Sequence, residues 1–398
     1  ALEEIAVLVP QYAPQIPYPT ISRDLNLIVD EPLLWTDLET TVKNSAGKFL
    51  EATSYQETYR NKSYSHSKLP EKYQTFIVAH DEITGYSLES NTEPSLFKSL
   101  SFSKNFNSII GDIRDKEKFK KSVYSSNPDF IFHMAAQPLV IQSYHNPKDT
   151  FEINFTGTLN LLEILRELNL SVQVVFVTTD KVYDNLELGV PFNEIDKLGG
   201  KDPYSASKAA SEILISAYNQ SFFKDSNINI ATARAGNVIG GGDWSDNRLI
   251  PDILKAKQRN IPLHIRNPKA IRPWQHVLEP LFGYLSLGVA LYRNPEIYSS
   301  SWNFGPEIED TKTVEEIINI GKKLDIIGEV VYEESLIVEA QSLKLNITKA
   351  KEKLGFTPIW NADLAIEATF NWYNSYYQQK SSAKDLIDKD LKNYLNQV

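Results

Sequence analysis

The chain has 398 residues, 42% apolar and 23% charged, with a formal net charge of -10. That length admits two or three domains and a large core, and the acidic balance makes nucleic acid or an anionic membrane a poor default partner. No cysteine is present, which excludes disulfides, thiolate catalysis and Cys-ligated metal sites, and no apolar run reaches the roughly 20 residues of a membrane span. The N-terminus lacks the basic region of a signal peptide and opens on Ala1. The expectation is therefore a cytoplasmic chain that is processed or a piece of a longer one.

In chain order, residues 25–29, 54–59 and 73–78 alternate like strands, and residues 37–44 suit a helix. From about Asp112 strand and helix patterns alternate. Residues 129–134 form a short apolar run. Residues 150–168 have helical length and a broad apolar face. Residues 172–177 are rich in valine and end at Thr178-Thr179-Asp180-Lys181, residues 203–220 read as a helix, and residues 229–235 as a strand. This order predicts an α/β fold with a parallel sheet covered by helices on both faces. Ala135-Ala136-Gln137, Thr179-Asp180 and Ala235-Gly236-Asn237 then fall at strand C-termini, where such sheets hold ligands. Beyond Gly240 the texture changes. Gly240-Gly241-Gly242-Asp243-Trp244 is a polar loop, and Arg248, Arg266 and Arg272 are spaced among prolines. This predicts a smaller lobe for an anionic ligand. His133 reads as a strand residue. Trp372, Tyr373, Tyr376 and Tyr377 read as the packing face of a late helix, and the polar stretch from Lys380 as a peripheral one.

Tyr204 and Lys208 stand four residues apart, on one helix face. A phenol near pKa 10 is a weak base at neutral pH. A neighbouring ammonium favours the phenolate, so the pair is a candidate proton relay, with Thr179, Asp180 and Lys181 facing the same pocket.

Several segments in one order carry a resemblance. They are Gly111-Asp112-Ile113-Arg114-Asp115, His133-Met134-Ala135-Ala136-Gln137-Pro138, Thr179-Asp180-Lys181-Val182-Tyr183, Asp202-Pro203-Tyr204-Ser205-Ala206-Ser207-Lys208, Arg234-Ala235-Gly236-Asn237, Arg248-Leu249-Ile250-Pro251-Asp252 and Ile271-Arg272-Pro273-Trp274-Gln275-His276. From about Gly85 onward the chain resembles the CDP-glucose 4,6-dehydratases, extended short-chain dehydrogenase/reductases. Lys181 favours this branch, since related dehydratases carry Asp-Glu or a similar pair there. The resemblance implies NAD as cofactor, CDP-glucose as substrate, CDP-4-keto-6-deoxyglucose as product and a possible homodimer through helices such as 151–168. It implies that Tyr204 removes the C4 hydroxyl proton, Thr179 holds the C4 oxygen, Lys181 takes or relays the C5 proton, and protonated Asp180 protonates the leaving C6 hydroxyl. Hydride leaves C4 and returns to C6. The implied cofactor contacts are Asp112, Ile113, Ala135, Ala136, Gln137, Tyr204 and Lys208. The implied substrate contacts are Asn237, Leu249, Arg266, Arg272 and His276.

One part of that family's pattern is absent. A dinucleotide-binding sheet carries its first strand and a Gly-rich turn at its start, yet Gly85 is the only glycine between Gly47 and Gly111. In its place, residues 10–80 resemble part of the anticodon-binding C-terminal domain of phenylalanyl-tRNA synthetase β chains. The expectation is a partial ferredoxin-like α+β segment over residues 1–80. A Rossmann-like doubly wound domain lacking its first strand and Gly-rich loop follows over 81–398, with its substrate lobe mainly from 240. Residues 1–80 carry 7 Lys and Arg against 10 Asp and Glu, which argues against RNA affinity by charge. Three readings stay open on sequence: an active dehydratase, a silent chimera without the pyrophosphate cradle, and an RNA-binding module fused to a sugar-nucleotide enzyme.

Overall fold

The computed structural model describes residues 82–102, 105–333 and 340–397. The expectations for residues 1–80, including the boundary near 80 and the substitution of residues 74–80 for a first strand, lie outside them.

The valine-rich run forms the strand Val172–Val177, which lies between Phe130–His133 and Ile228–Ala235; Ser301–Phe304 continues the sheet beyond Ile228–Ala235. All pairings are parallel, with Val174 opposite Ile131 on one side and Ile230 on the other. Parallel strands are buried on both faces, and alternation divides their side chains between two cores. Val172, Val174 and Phe176 join Leu161, Leu165 and Ile230 on one face. Val175 joins Ala231, Leu287 and Trp302 on the other. The helices Lys116–Ser126, Gly157–Leu168 and Leu278–Arg293 supply the covering layers.

A second parallel pair, Ile83–Ser87 with Phe106–Ile110, stands apart from this sheet. The usual doubly wound order is 3-2-1-4-5-6. Taken as strands 2 and 3 respectively, this pair precedes the four-stranded sheet, and the break falls at position 1. Among the described residues no strand joins the two sheets.

The late part of the chain forms its own core. The helices Leu249–Arg259, Val314–Lys323 and Ala362–Tyr377 pack around Trp244, Ile317, Phe370 and Tyr373. The aromatic set is a packing face, as expected: Trp372 and Tyr373 are buried. Tyr373 also anchors the glycine loop, its hydroxyl accepting from Asp243 N at 2.8 Å. The last helix, Ala383–Leu395, begins in a capping box of Ser382 and Asp385. One expected helix differs. Within residues 150–168 the helix Pro147–Phe151 passes through a π-turn, Glu152–Thr156, before Gly157–Leu168. In that turn Asn154 is buried and its side chain bonds Gln137 and Ser207.

Candidate functional site

The strand Val172–Val177 ends by feeding Thr178 N to Ala233 O at 2.8 Å, and the chain then turns through a 3-10 segment, Asp180–Val182. Thr179 caps that turn, accepting from Lys181 N at 3.4 Å. Its hydroxyl also donates to Asp180 Oδ1 at 3.0 Å, and Lys181 Nζ donates to the same oxygen at 2.9 Å. Asp180 is fully buried, and its other oxygen, Oδ2, has no partner among the described residues. An acceptor left so is costly if ionised and becomes a donor if protonated. Gly236 makes this burial feasible: a Cβ there would lie 2.1 Å from Asp180 Oδ2.

Tyr204 occupies the first turn of the helix Pro203–Tyr218, whose cap, Asp202, accepts from Ser205 N at 2.9 Å. Burial pushes the Tyr204 phenol up to about 12; the Thr179 hydroxyl bonded to it and the Arg248 charge oppose that rise, and Asp180 adds to it. Thr179 thus lies within hydrogen-bond reach of the phenol and of Asp180. Lys208 follows one turn later, and burial lowers its ammonium to about 8, with Glu212 opposing. Its Nζ donates to Val177 O at 3.0 Å. The four-residue spacing suggested a lysine that tunes the tyrosine directly. Instead, Thr179 leads the influences that ease ionisation of the phenol, and Arg248 follows.

Thr179, Lys181 and Tyr204 line a cavity of about 840 Å³ that runs into the later lobe. Asn237, Leu249, Arg266 and Arg272 of the expected substrate contacts line it too, and so does Arg248. Asn237 adopts a left-handed conformation, φ +33°, and its Oδ1 is buried without a partner among the described residues. Arg272 donates to Ile271 O at 2.9 Å, and Arg248 to Asp243 Oδ2 at 3.0 Å. His276 sits behind the wall, packed against Trp360 with ring centroids 4.7 Å apart and planes tilted by 54°, while its neighbour Val277 faces the cavity. Burial lowers the His276 imidazole to about 4.

The expected cofactor contacts form a separate group at the strand ends. Gln137 is buried, its backbone N–H donating to Asn154 Oδ1 at 2.8 Å and its side chain to Thr150 Oγ1 at 2.9 Å. Ala135 and Ala136 are partly exposed beside it. Ile113 is buried, and Asp112 is engaged by Arg114 at 2.6 Å. None of these five lines the 840 Å³ cavity. His133 is a buried strand residue bonded to Thr158, and burial lowers it to about 3. Among the described residues no group of His, Asp or Glu is arranged to hold a metal, and no helix is long and apolar enough to cross a membrane.

Sequence reasoning missed two contributors. Asp252 lines the cavity, and burial raises its carboxyl to about 6. Glu212 forms a buried ion pair with Arg234. Its signal was present: Tyr204, Lys208 and Glu212 recur every four residues, which is one helix face.

Comparison with known proteins accords with this geometry. Residues 63–289 match the family described as GDP-mannose 4,6 dehydratase. The chain is 43% identical to a CDP-glucose 4,6-dehydratase of Salmonella typhimurium over 303 residues, covering 74% of this chain and 84% of that protein. Its fold is similar to an epimerase from Methanothermobacter thermautotrophicus, with TM-score 0.67, 22% identity and coverage of 77% and 89% of the two chains. It is also similar to a dTDP-glucose 4,6-dehydratase from Bacillus anthracis solved with NAD, with TM-score 0.62, 20% identity and coverage of 76% and 91%.

Proposed function

The chain belongs to the nucleotide-sugar 4,6-dehydratase family, and from that premise we propose that it converts CDP-glucose to CDP-4-keto-6-deoxyglucose and water with NAD as its cofactor. The observation that carries this reading is a continuous run of hydrogen-bonding groups, Tyr204, Thr179, Asp180 and Lys181, opening on a cavity with Arg248, Arg266 and Arg272 along its walls. Guanidinium groups suit a diphosphate.

On its nicotinamide half the cofactor fits the residues present. Lys208 is a buried ammonium bonded to Val177 O, and an ammonium has three donors, so two remain for ribose hydroxyls. Ala135, Ala136 and Gln137 supply the wall beside it, and Asp112 with Ile113 the adenine end. Bound there, NAD supplies the reversible hydride acceptor that a redox-neutral dehydration needs.

The chain's own groups move the protons. Tyr204 accepts the C4 hydroxyl proton, and Thr179 holds the C4 oxygen. Oxidation at C4 makes the C5 hydrogen acidic, and Lys181 takes or relays it as the free amine, the proton of the Lys181–Asp180 pair then being on Asp180. Asp180, protonated on its unpartnered Oδ2, delivers a proton to the departing C6 hydroxyl. Asn237, Leu249, Arg266 and Arg272 hold the nucleotide diphosphate, and His276 supports that wall from behind. A homodimer is what the resemblance suggests; the apolar face of Gly157–Leu168 packs in the core, and its exposed residues, Arg166 and Glu167, are paired within the chain.

A second reading, a silent scaffold, draws on the break between the two parallel sheets. Incubation with NAD and CDP-glucose separates them. Formation of a 4-keto-6-deoxy product from CDP-glucose, in preference to UDP-glucose or dTDP-glucose and lost in Tyr204→Phe, supports the dehydratase. No product from any of the three sugars, with NAD absent from the protein, supports the scaffold.

A further inference from the structure

Arg234 is 2% exposed and lies near the C-terminal end of the inner strand Ile228–Ala235. Its side chain has five N–H donors, and all five have acceptors. Nε and Nη2 donate to the two oxygens of Glu212, both at 2.9 Å. Nη1 donates to Tyr183 OH at 2.9 Å and to Glu194 O at 3.0 Å, and Nη2 also reaches Ser301 Oγ at 3.0 Å. Glu212 is as fully engaged. Besides the guanidinium it accepts from Thr178 Oγ1 at 2.5 Å, Thr232 Oγ1 at 2.8 Å and Ser301 Oγ at 3.3 Å.

The places these bonds reach are informative. Thr178 immediately precedes Thr179, and Tyr183 immediately follows the Asp180–Val182 turn. Glu212 is on the helix that carries Tyr204 and Lys208. Two residues beyond Arg234 comes Gly236, packed on Asp180. One buried ion pair therefore holds both ends of the catalytic turn, the catalytic helix and the backing of the acid. A buried pair is weak evidence for net stability against an apolar replacement of like volume, so its retention at this junction calls for another reason.

We propose that Glu212 and Arg234 are positioning residues, a buried clamp that sets the Thr179-Asp180-Lys181 turn against Tyr204. One consequence follows from the same helix: Glu212 stands one turn from Lys208, where a carboxylate favours the ammonium. The titratable groups that face Lys208 are Glu212, one helical turn on, which favours the ammonium, and His133 from the adjacent strand, which burial keeps neutral. Tyr204 lies one turn back on the same face. This inference rests on the dehydratase reading for its kinetic consequences, but its geometric half does not.

The test uses the full chain and two substitutions. Thr178→Val removes one hydroxyl and leaves the ion pair intact. It should lower kcat about tenfold with KM for CDP-glucose within about twofold of wild type, the pattern of a lost transition-state arrangement. Hydrogen exchange should rise in residues 179–183 and stay at the wild-type level in residues 228–235. Glu212→Gln should lower kcat further and move the alkaline limb of the kcat–pH profile down by about half a pH unit or more, because the charge that favoured the Lys208 ammonium is gone. A merely structural pair would lower thermal stability without moving that limb. Wild-type kcat and wild-type exchange in Thr178→Val would overturn the clamp even if Glu212→Gln does not fold. An unmoved alkaline limb in folded Glu212→Gln would overturn the charge role. Absence of turnover in the wild type would instead refute the reaction reading, and the exchange measurement would still judge the clamp.

Discussion

Tyr204 and Lys208 illustrate what a spacing conveys and what it omits. Four residues in a helix put a phenol and an ammonium on one face, and both are buried there. The spacing could not reveal that Lys208 donates to Val177 O, or that the phenol meets Thr179, because those partners come from another strand. Burial lowers the lysine from 10.5 to about 8, so folding carries a charged-group penalty that is complete below pH 8 and relieved as pH rises toward 10.5. Lys208→Met should therefore unfold less readily than wild type by about 2 kcal/mol at pH 7, the pKa shift less one hydrogen bond. That margin should shrink toward pH 10.5 in denaturant titrations; a margin that grows with pH would contradict the sign. Asp180 depends on a residue of no chemistry at all. The Cβ introduced by Gly236→Ala would stand 2.1 Å from its Oδ2 and 2.9 Å from Pro273 Cγ, so kcat should fall by about tenfold or more through displacement of the acid. Wild-type kcat in that variant would mean that the carboxyl can move without loss.

Elements with strong local signals were legible from the residues alone. The strand Val172–Val177 declares itself by β-branching, and the helix Pro203–Tyr218 by Asp202 at its cap and proline at its first position. The π-turn Glu152–Thr156 was not legible, since its cause is tertiary: it sets a buried Asn154 against Gln137 and Ser207. The pairs Val238–Ile239 with Gln275–His276 and Ile271–Arg272 with Lys312–Thr313 were equally invisible, because two-residue strands exhibit no alternation. Those short pairs explain why His276 is behind the cavity wall and Val277 on it. The last helix has a local device that can be tested by itself. Ser382 accepts from Asp385 N at 3.2 Å in a capping box, and Ser382→Ala should reduce unfolding free energy by about 1 kcal/mol. No change in the denaturation midpoint would mean that packing of Leu386 and Tyr394, both buried, fixes the helix without its cap.

At the scale of the molecule, the glycine count and the described strands bear on the same place in the sheet. One glycine between Gly47 and Gly111 rules out a Gly-rich first turn there, and the described strands divide where a first strand belongs. The catalytic half was legible because its motifs run consecutively along the later strands. The later lobe was legible from arginines spaced among prolines, and Arg248, Arg266 and Arg272 all line the cavity. The proposed proton-transfer groups follow the strand Val172–Val177 and open the helix Pro203–Tyr218, whereas the proposed contacts for the cofactor's adenine end lie near the strand Phe106–Ile110 of the separate pair. The account holds that these parts together perform a redox-neutral dehydration, in which the hydrogen removed from C4 is the one that returns to C6. The most direct measurement follows CDP-glucose deuterated at C4 through turnover by the full chain with NAD. Product carrying the deuterium at C6, with no net NADH formed, is the expected result. Deuterium lost from the product, accumulation of NADH, or recovery of unchanged CDP-glucose would contradict it.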